Sequence, residues 1–142
     1  MDSSAESPSP TEGGARRLRV LIVEDNADAA SSTKMVLEMD GHEVHVARDG
    51  RAALEAAAAI DPDVVLLDIG LPGVSGYEVA ERLKPRKARR KLLLVAVTGY
   101  AQEADREKSA AAGIDVHLLK PADPVLLREL LARFAGLRPL SS

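Results

Sequence analysis

Apolar positions along the chain fall into two kinds of run. Val64-Val65-Leu66-Leu67 and Leu92-Leu93-Leu94-Val95-Ala96-Val97 are unbroken, as expected of central strands covered on both faces in a parallel sheet. Leu18-Arg19-Val20-Leu21-Ile22-Val23 predicts a further short buried strand. Between Glu43 and Ala47, Val44 and Val46 alternate with polar neighbours, which places a strand nearer the sheet edge, and Ile114, Val116, Leu118 and Leu119 predict the last strand. Helical patterns separate these runs. Asn26 caps a helix with Asp28 in its first turn, Ala29, Thr33, Val36 and Leu37 on one face, and Gly41 as its stop. Asp49-Gly50 opens an Ala-rich helix to about Ala59, closed by Asp61-Pro62. Ser75 caps a short helix through Leu83, ended by Pro85, and a polar helix runs from about Gln102 to Ala112 before Gly113. Asp123 as N-cap, Pro124 at the first helical position, and Leu127, Leu130, Leu131 and Phe134 on one face define the final helix.

Strands and helices that alternate in this way imply a parallel sheet with helices on both faces, joined by right-handed crossovers. All strands then end at the same edge of the sheet, where ligands bind in open α/β folds. The Val64 to Leu67 run stops on Asp68, and Gly70, Pro72 and Gly73 force a turn that leaves the carboxylate at that edge. The first strand ends on Glu24-Asp25, the fourth on Thr98-Gly99 and the fifth on Lys120-Pro121. Topology therefore gathers three acids, one hydroxyl and one amine from distant parts of the chain.

Composition narrows the class. A chain of 142 residues, 46% hydrophobic, suits one domain with a sizeable core. The formal net charge of −3 gives no reason to expect nucleic acid or an anionic membrane as partner. Without Cys there is no disulfide framework, thiolate nucleophile or Cys-based metal site. No apolar run approaches a membrane span, and Met1 to Gly14 lacks the apolar region of a signal peptide, so a cytoplasmic protein is expected. Residues 1–15 are expected to be a disordered leader, 16–138 the folded domain and 139–142 a short tail.

Three crowded carboxylates ionise comfortably only beside a cation. Oxygen ligands without His or Cys favour Mg2+ or a similar divalent ion such as Mn2+, with room left for water and phosphate oxygens. Lys120 offers a positive charge and Thr98 a hydroxyl, both suited to phosphoryl oxygens, and phosphoryl transfer depends mainly on positioning and neutralising charge. A carboxylate can itself accept the group as an acyl phosphate, and Asp68, central and on a turn, is the candidate nucleophile.

In these residues the stretch from about Leu18 to Leu137 resembles a receiver domain of the two-component response regulators. Glu24-Asp25, Asp68 with Leu71-Pro72-Gly73 behind it, Thr98-Gly99 and Lys120-Pro121 occur in order at the family's spacings. The resemblance implies a flavodoxin-like (βα)5 three-layer sandwich with a parallel five-stranded sheet of order 2-1-3-4-5. It implies that Asp68 takes a phosphoryl group from a phosphohistidine on a histidine kinase or histidine phosphotransfer protein. Asp25 and Asp68 would hold Mg2+ directly, Glu24 through water, and Gly70 would add its backbone carbonyl. Lys120 would pair with Asp68 and then with the phosphoryl group, which Thr98 would also bond, and the Lys120-Pro121 peptide would be cis. The resemblance further implies that no external substrate is turned over and that the chemistry would be the protein's own phosphorylation and dephosphorylation. The face from Gln102 to Phe134 would then change its affinity for a downstream protein.

Several positions depart from the family's commonest pattern. Glu24 stands where Asp is commoner, Gly70 brings no side chain to the position two after Asp68, and His117 replaces the aromatic switch three residues before the lysine. His117 and Tyr100 are both candidates for the switch readout. The run Lys84, Arg86, Lys87, Arg89, Arg90 and Lys91 is expected in a solvated loop at the edge opposite Asp68, with docking of an acidic partner as the alternative. Gly70 also lacks the second acid of a haloacid dehalogenase-type hydrolase, and no Gly-rich loop leads into Gly-Lys-Ser/Thr as in a P-loop enzyme. A flavin-binding flavodoxin would not need the acids with Lys120. The remaining alternative is a protein-binding module that uses this fold without phosphorylation. With no effector domain in the sequence, a single-domain regulator, a relay intermediate and a receiver cut from a hybrid kinase all stay open.

Overall fold

A computed structural model describes residues 17–71, 75–89, 91–99 and 106–137. In it the unbroken apolar runs become the middle of one sheet. The elements are β1 (Arg19–Val23), α1 (Ala27–Met39), β2 (Glu43–Ala47), α2 (Gly50–Ile60), β3 (Val64–Asp68), α3 (Gly76–Arg89), β4 (Leu93–Thr98), α4 (Arg106–Ala112), β5 (Val116–Leu119) and α5 (Pro124–Leu137). The five strands are all parallel in the order β2-β1-β3-β4-β5, so the expected 2-1-3-4-5 sheet is present.

Alternation along each strand sorts the core into two layers. Leu21, Val23, Val65, Leu67, Leu94 and Ala96 face Ala53 and Ala57 of α2, Val79, Ala80 and Leu83 of α3 and Ala112 of α4. Val20, Ile22, Val64, Leu66, Leu93 and Val95 face Ala30 and Leu37 of α1 and Leu127, Leu131 and Phe134 of α5. Both faces of β1, β3 and β4 are covered, which is why their sequences show no polar alternation.

Local chemistry fixes the ends. Asn26, Asp49 and Ser75 accept from the N–H groups of Ala29, Ala52 and Glu78, and Asp123 Oδ1 accepts from Val125 N at 2.9 Å. Gly41, just beyond α1, has φ 89°, which glycine adopts without steric cost. At the amino edge of the sheet two acids hold neighbouring strands. Asp63 Oδ2 accepts from Arg19 N at 2.8 Å, and Asp115 Oδ2 accepts from Leu94 N at 2.9 Å.

The expected end of α3 at Pro85 is corrected: the helix continues to Arg89 with the proline inside it. Proline removes a bond to the carbonyl one turn back, but side chains beyond it hold the last turn. Arg86 Nη1 bonds Asp61 Oδ1 at 3.2 Å, and Lys87 Nζ bonds Leu92 O at 2.9 Å and Asp115 Oδ2 at 2.7 Å. The basic run is likewise corrected from a solvated loop: Lys84, Arg86 and Lys87 lie in these last helical turns. The final strand begins at Val116 rather than Ile114, and β4 at Leu93 rather than Leu92. The expected leader and short tail, the helix start from Gln102 to Asp105, and Pro72 and Gly73 lie outside the described residues.

Candidate functional site

At the carboxyl edge of the sheet three strand ends present charge. β3 ends on Asp68, which is 3% exposed, and Glu24 and Asp25 follow β1 directly. One carboxylate oxygen from each of Glu24, Asp25 and Asp68 lies within 4.8 Å of the others. From beyond β5, Lys120 Nζ donates to Asp68 Oδ2 at 2.7 Å and stands 3.9 Å from Glu24 Oε1. The Lys120-Pro121 peptide bond is cis. Thr98, 1% exposed, closes β4, and its carbonyl accepts from Lys120 N at 2.7 Å.

Backbone contacts fix the acids in place. Glu24 N donates to Ala47 O at 3.0 Å, and Glu24 Oε2 accepts from Asn26 N at 3.1 Å. Arg48, just after β2, donates through Nη2 to Asp25 O at 2.7 Å. Ile69 N bonds Val97 O at 3.1 Å, and Gly70 N donates to Asp68 Oδ1 at 2.9 Å. Behind this loop, Gly76 opens α3 so closely that a Cβ there would lie 2.8 Å from both Asp68 O and Ile69 Cα. Arg48 and Gly76 are site-forming residues that the sequence did not single out. The only signals for them were a charge after the second strand and a glycine after a capping serine.

The field at this edge is acidic. Burial pushes the Glu24 carboxyl above its ordinary range; the Asn26 N–H and Lys120 oppose the rise, and Asp68 and Asp25 add to it. For Lys120 burial works against the ammonium, but the hydrogen bond to Asp68 and the charges of Asp68, Glu24 and Asp25 outweigh it and raise the pKa. One ammonium thus faces three carboxylates, an oxygen-rich donor set that fits a hard divalent cation. A cleft of about 690 Å3 opens beside the acids, walled by Ala29, Thr33 and Val36 of α1, Leu66, Pro121 and Leu127.

The two switch candidates have different outcomes. Tyr100 lies outside the described residues. His117 sits on β5 opposite Ala96, away from the acids, with Nε2 2.7 Å from Ser109 Oγ of α4.

Fold and rim together define a doubly wound α/β protein with its acids and its lysine gathered at the carboxyl edge of the sheet. The response regulator receiver domain matches residues 20–132, and the chain belongs to that family. The polar-differentiation response regulator DivK of Brucella ovis is 34% identical over 117 residues, which cover 82% of this chain and 95% of that protein. A CheY-like receiver domain from Methylobacillus flagellatus superposes with a TM-score of 0.75 at 30% identity, over 83% of this chain and 98% of its own. The Saccharomyces cerevisiae receiver domain of Ssk1, crystallised with the histidine phosphotransfer protein Ypd1, aligns with a TM-score of 0.76 at 22% identity, over 85% of this chain and 90% of its own, a likeness of fold alone. Receiver domains are signalling modules, and Mg2+ binding and phosphorylation are typical of the family. Among the described residues, no helix is long and apolar enough to cross a membrane.

Proposed function

We propose that this receiver, with residues 16–138 as its functional unit, takes a phosphoryl group from a phosphohistidine onto Asp68. The observation that carries the proposal is the convergence of a nearly buried carboxylate, its 2.7 Å lysine partner and two further acids at one strand edge. A carboxylate oxygen of Asp68 attacks phosphorus, the phosphorus–nitrogen bond breaks, and its electron pair stays on the departing imidazole, leaving an acyl phosphate. Lys120 neutralises Asp68 before transfer and the phosphoryl oxygens after it. Thr98 supplies a hydroxyl donor for the same group. The carboxylates of Glu24, Asp25 and Asp68 with the carbonyl of Gly70 would hold a divalent cation, Mg2+ or Mn2+. When bound, that cation supplies charge neutralisation for phosphoryl transfer.

The donor is a histidine kinase or a histidine phosphotransfer protein. A receiver of the same fold, that of Ssk1, has been crystallised with a protein of the second kind, which supports this class of donor. The output is an altered affinity of the α4, β5 and α5 side for a downstream protein, and the chain acts in the cytoplasm.

Phosphoramidate, a small phosphorus–nitrogen donor, tests the chemistry. It is expected to phosphorylate the chain with Mg2+ and not after chelation, and Asp25→Asn is expected to slow the reaction at least about tenfold. Phosphorylation indifferent to chelation would contradict the metal assignment. No phosphorylation by any competent donor would favour a protein-binding module that works without it.

A further inference from the structure

The end of β2 lies beside the acids, because β2 is the neighbour of β1 in the sheet. Two consecutive residues there grip two consecutive acids. Ala47 O accepts from Glu24 N at 3.0 Å, and the Arg48 guanidinium closes on Asp25 O, with Nη2 at 2.7 Å and Nε at 3.3 Å. Asp25 stands between the end of β1 and Asn26, the N-cap of α1, so its carbonyl belongs to neither ladder and Arg48 supplies its donor. The root of Arg48 is itself held on both sides. Ala47 before it is buried, and Asp49 after it caps α2 by accepting from Ala52 N at 2.8 Å. A long side chain on a fixed root thus reaches across to the loop that carries two of the three acids.

What Arg48 leaves alone is as informative as what it holds. A guanidinium near carboxylates ordinarily takes their oxygens in its fork. Among the described residues Arg48 makes no ion pair with Glu24, Asp25 or Asp68, whereas Lys120 pairs with Asp68 at 2.7 Å and Glu24 at 3.9 Å. The fork is turned instead on a neutral carbonyl, and among the described residues the Asp25 carboxylate carries no hydrogen bond. One of its oxygens still lies within 4.8 Å of those of Glu24 and Asp68. Anchoring the backbone without pairing the side chain keeps that oxygen in the set and open to a cation.

We propose that Arg48 is a positioning residue for the divalent cation: by holding the Asp25 carbonyl it raises the affinity of the acids for Mg2+, although its own charge repels the ion. The inference rests on the metal assignment above. The two effects of Arg48 have opposite signs. By charge alone its removal tightens Mg2+ binding. By anchorage its removal weakens binding, because the loop bearing Glu24 and Asp25 must then be ordered when the ion arrives. Arg48 is exposed, so water and salt screen its charge, while the lost alignment acts on two ligands together. Anchorage therefore prevails.

The test is a calorimetric Mg2+ titration of the whole unphosphorylated chain. Arg48→Ala is expected to raise the Kd about five- to tenfold. Arg51→Ala, which removes the same charge from an 88% exposed side chain on α2, should stay within about twofold of wild type. Without Mg2+, amide hydrogen exchange in Arg48→Ala should quicken about threefold or more at Asn26 and Ala29, whose N–H groups bond Glu24 Oε2 and Asn26 Oδ1, with β3 and α5 unchanged. Unchanged or tighter Mg2+ binding in Arg48→Ala, or a weakening that Arg51→Ala matches, overturns the proposal. So does exchange that quickens throughout the molecule, the mark of a general structural role. With acetyl phosphate and saturating Mg2+ the variant should phosphorylate within about twofold of the wild-type rate; a deficit that survives saturation places Arg48 at the transferred group and overturns the positioning role. If wild type binds no Mg2+, the metal assignment falls and the role of Arg48 toward the ion falls with it. If wild type binds Mg2+ but takes no phosphoryl group, only the phosphoacceptor reading falls, and the titration still decides.

Discussion

Gly76 shows how tightly the loop after Asp68 is built. A Cβ there would meet backbone atoms, Asp68 O and Ile69 Cα, each at 2.8 Å, and backbone does not move aside as the end of a flexible side chain does. Gly76→Ala is expected to cost about 1–3 kcal/mol in urea unfolding and to weaken Mg2+ binding by displacing Asp68. Wild-type stability in that variant would show that α3 adjusts freely. Gly70 differs, because a Cβ would lie 3.6 Å from Asp68 Oδ1, an ordinary contact. The acids and Lys120 were legible in the sequence because each terminates a strand in a parallel sheet, and strand ends can be read from apolar runs. Gly76 and Arg48 were not, because their roles come from close approach and a carbonyl contact between separate segments, which leave no periodic trace.

Among the elements, the start of β1 carries a titratable contact. His42 follows α1 and is 9% exposed, and its Nδ1 accepts from Leu18 N at 3.1 Å. Burial lowers its pKa below the ordinary 6.5; Asp40 opposes that and Arg17 adds to it. A depressed folded pKa means that the unfolded chain binds more protons. The contribution of His42 is therefore present above about pH 6.5 and is lost as pH falls through the folded value. Protonation also puts a second N–H against that of Leu18. Stability measured by urea unfolding should decline from pH 7.5 to 5.5 at no more than ~1.4 kcal/mol per pH unit from this group. The decline should be shallower in His42→Gln; parallel curves would contradict the assignment. α3 shows where the reading of elements fell short. Proline is a sound local stop signal, but the contacts of Arg86 and Lys87 with Asp61, Leu92 and Asp115 lie 25, 5 and 28 residues away in sequence and outweigh it.

For the whole molecule, parallel topology does most of the work. It brings all five strand ends to one edge, buries both faces of the central strands, and leaves the outer strand β5 and α4 beside the site, where a local change can be read by another protein. This level was the most legible, because alternation of strand and helix, once counted, restricts the possible arrangements severely. The arrangement also has a thermodynamic cost. Three carboxylates held together, with Glu24 raised by burial, are better tolerated once a cation is bound. The central claim is that Asp68 becomes an acyl phosphate, and the most direct measurement is to map the modified residue. After Mg2+ and acetyl phosphate, reduction with borohydride converts an aspartyl phosphate to homoserine, which peptide mass spectrometry locates. The account predicts homoserine at position 68 in wild type, none without Mg2+ and none in Asp68→Ala. Conversion at another acid, or none with a competent donor, would contradict it.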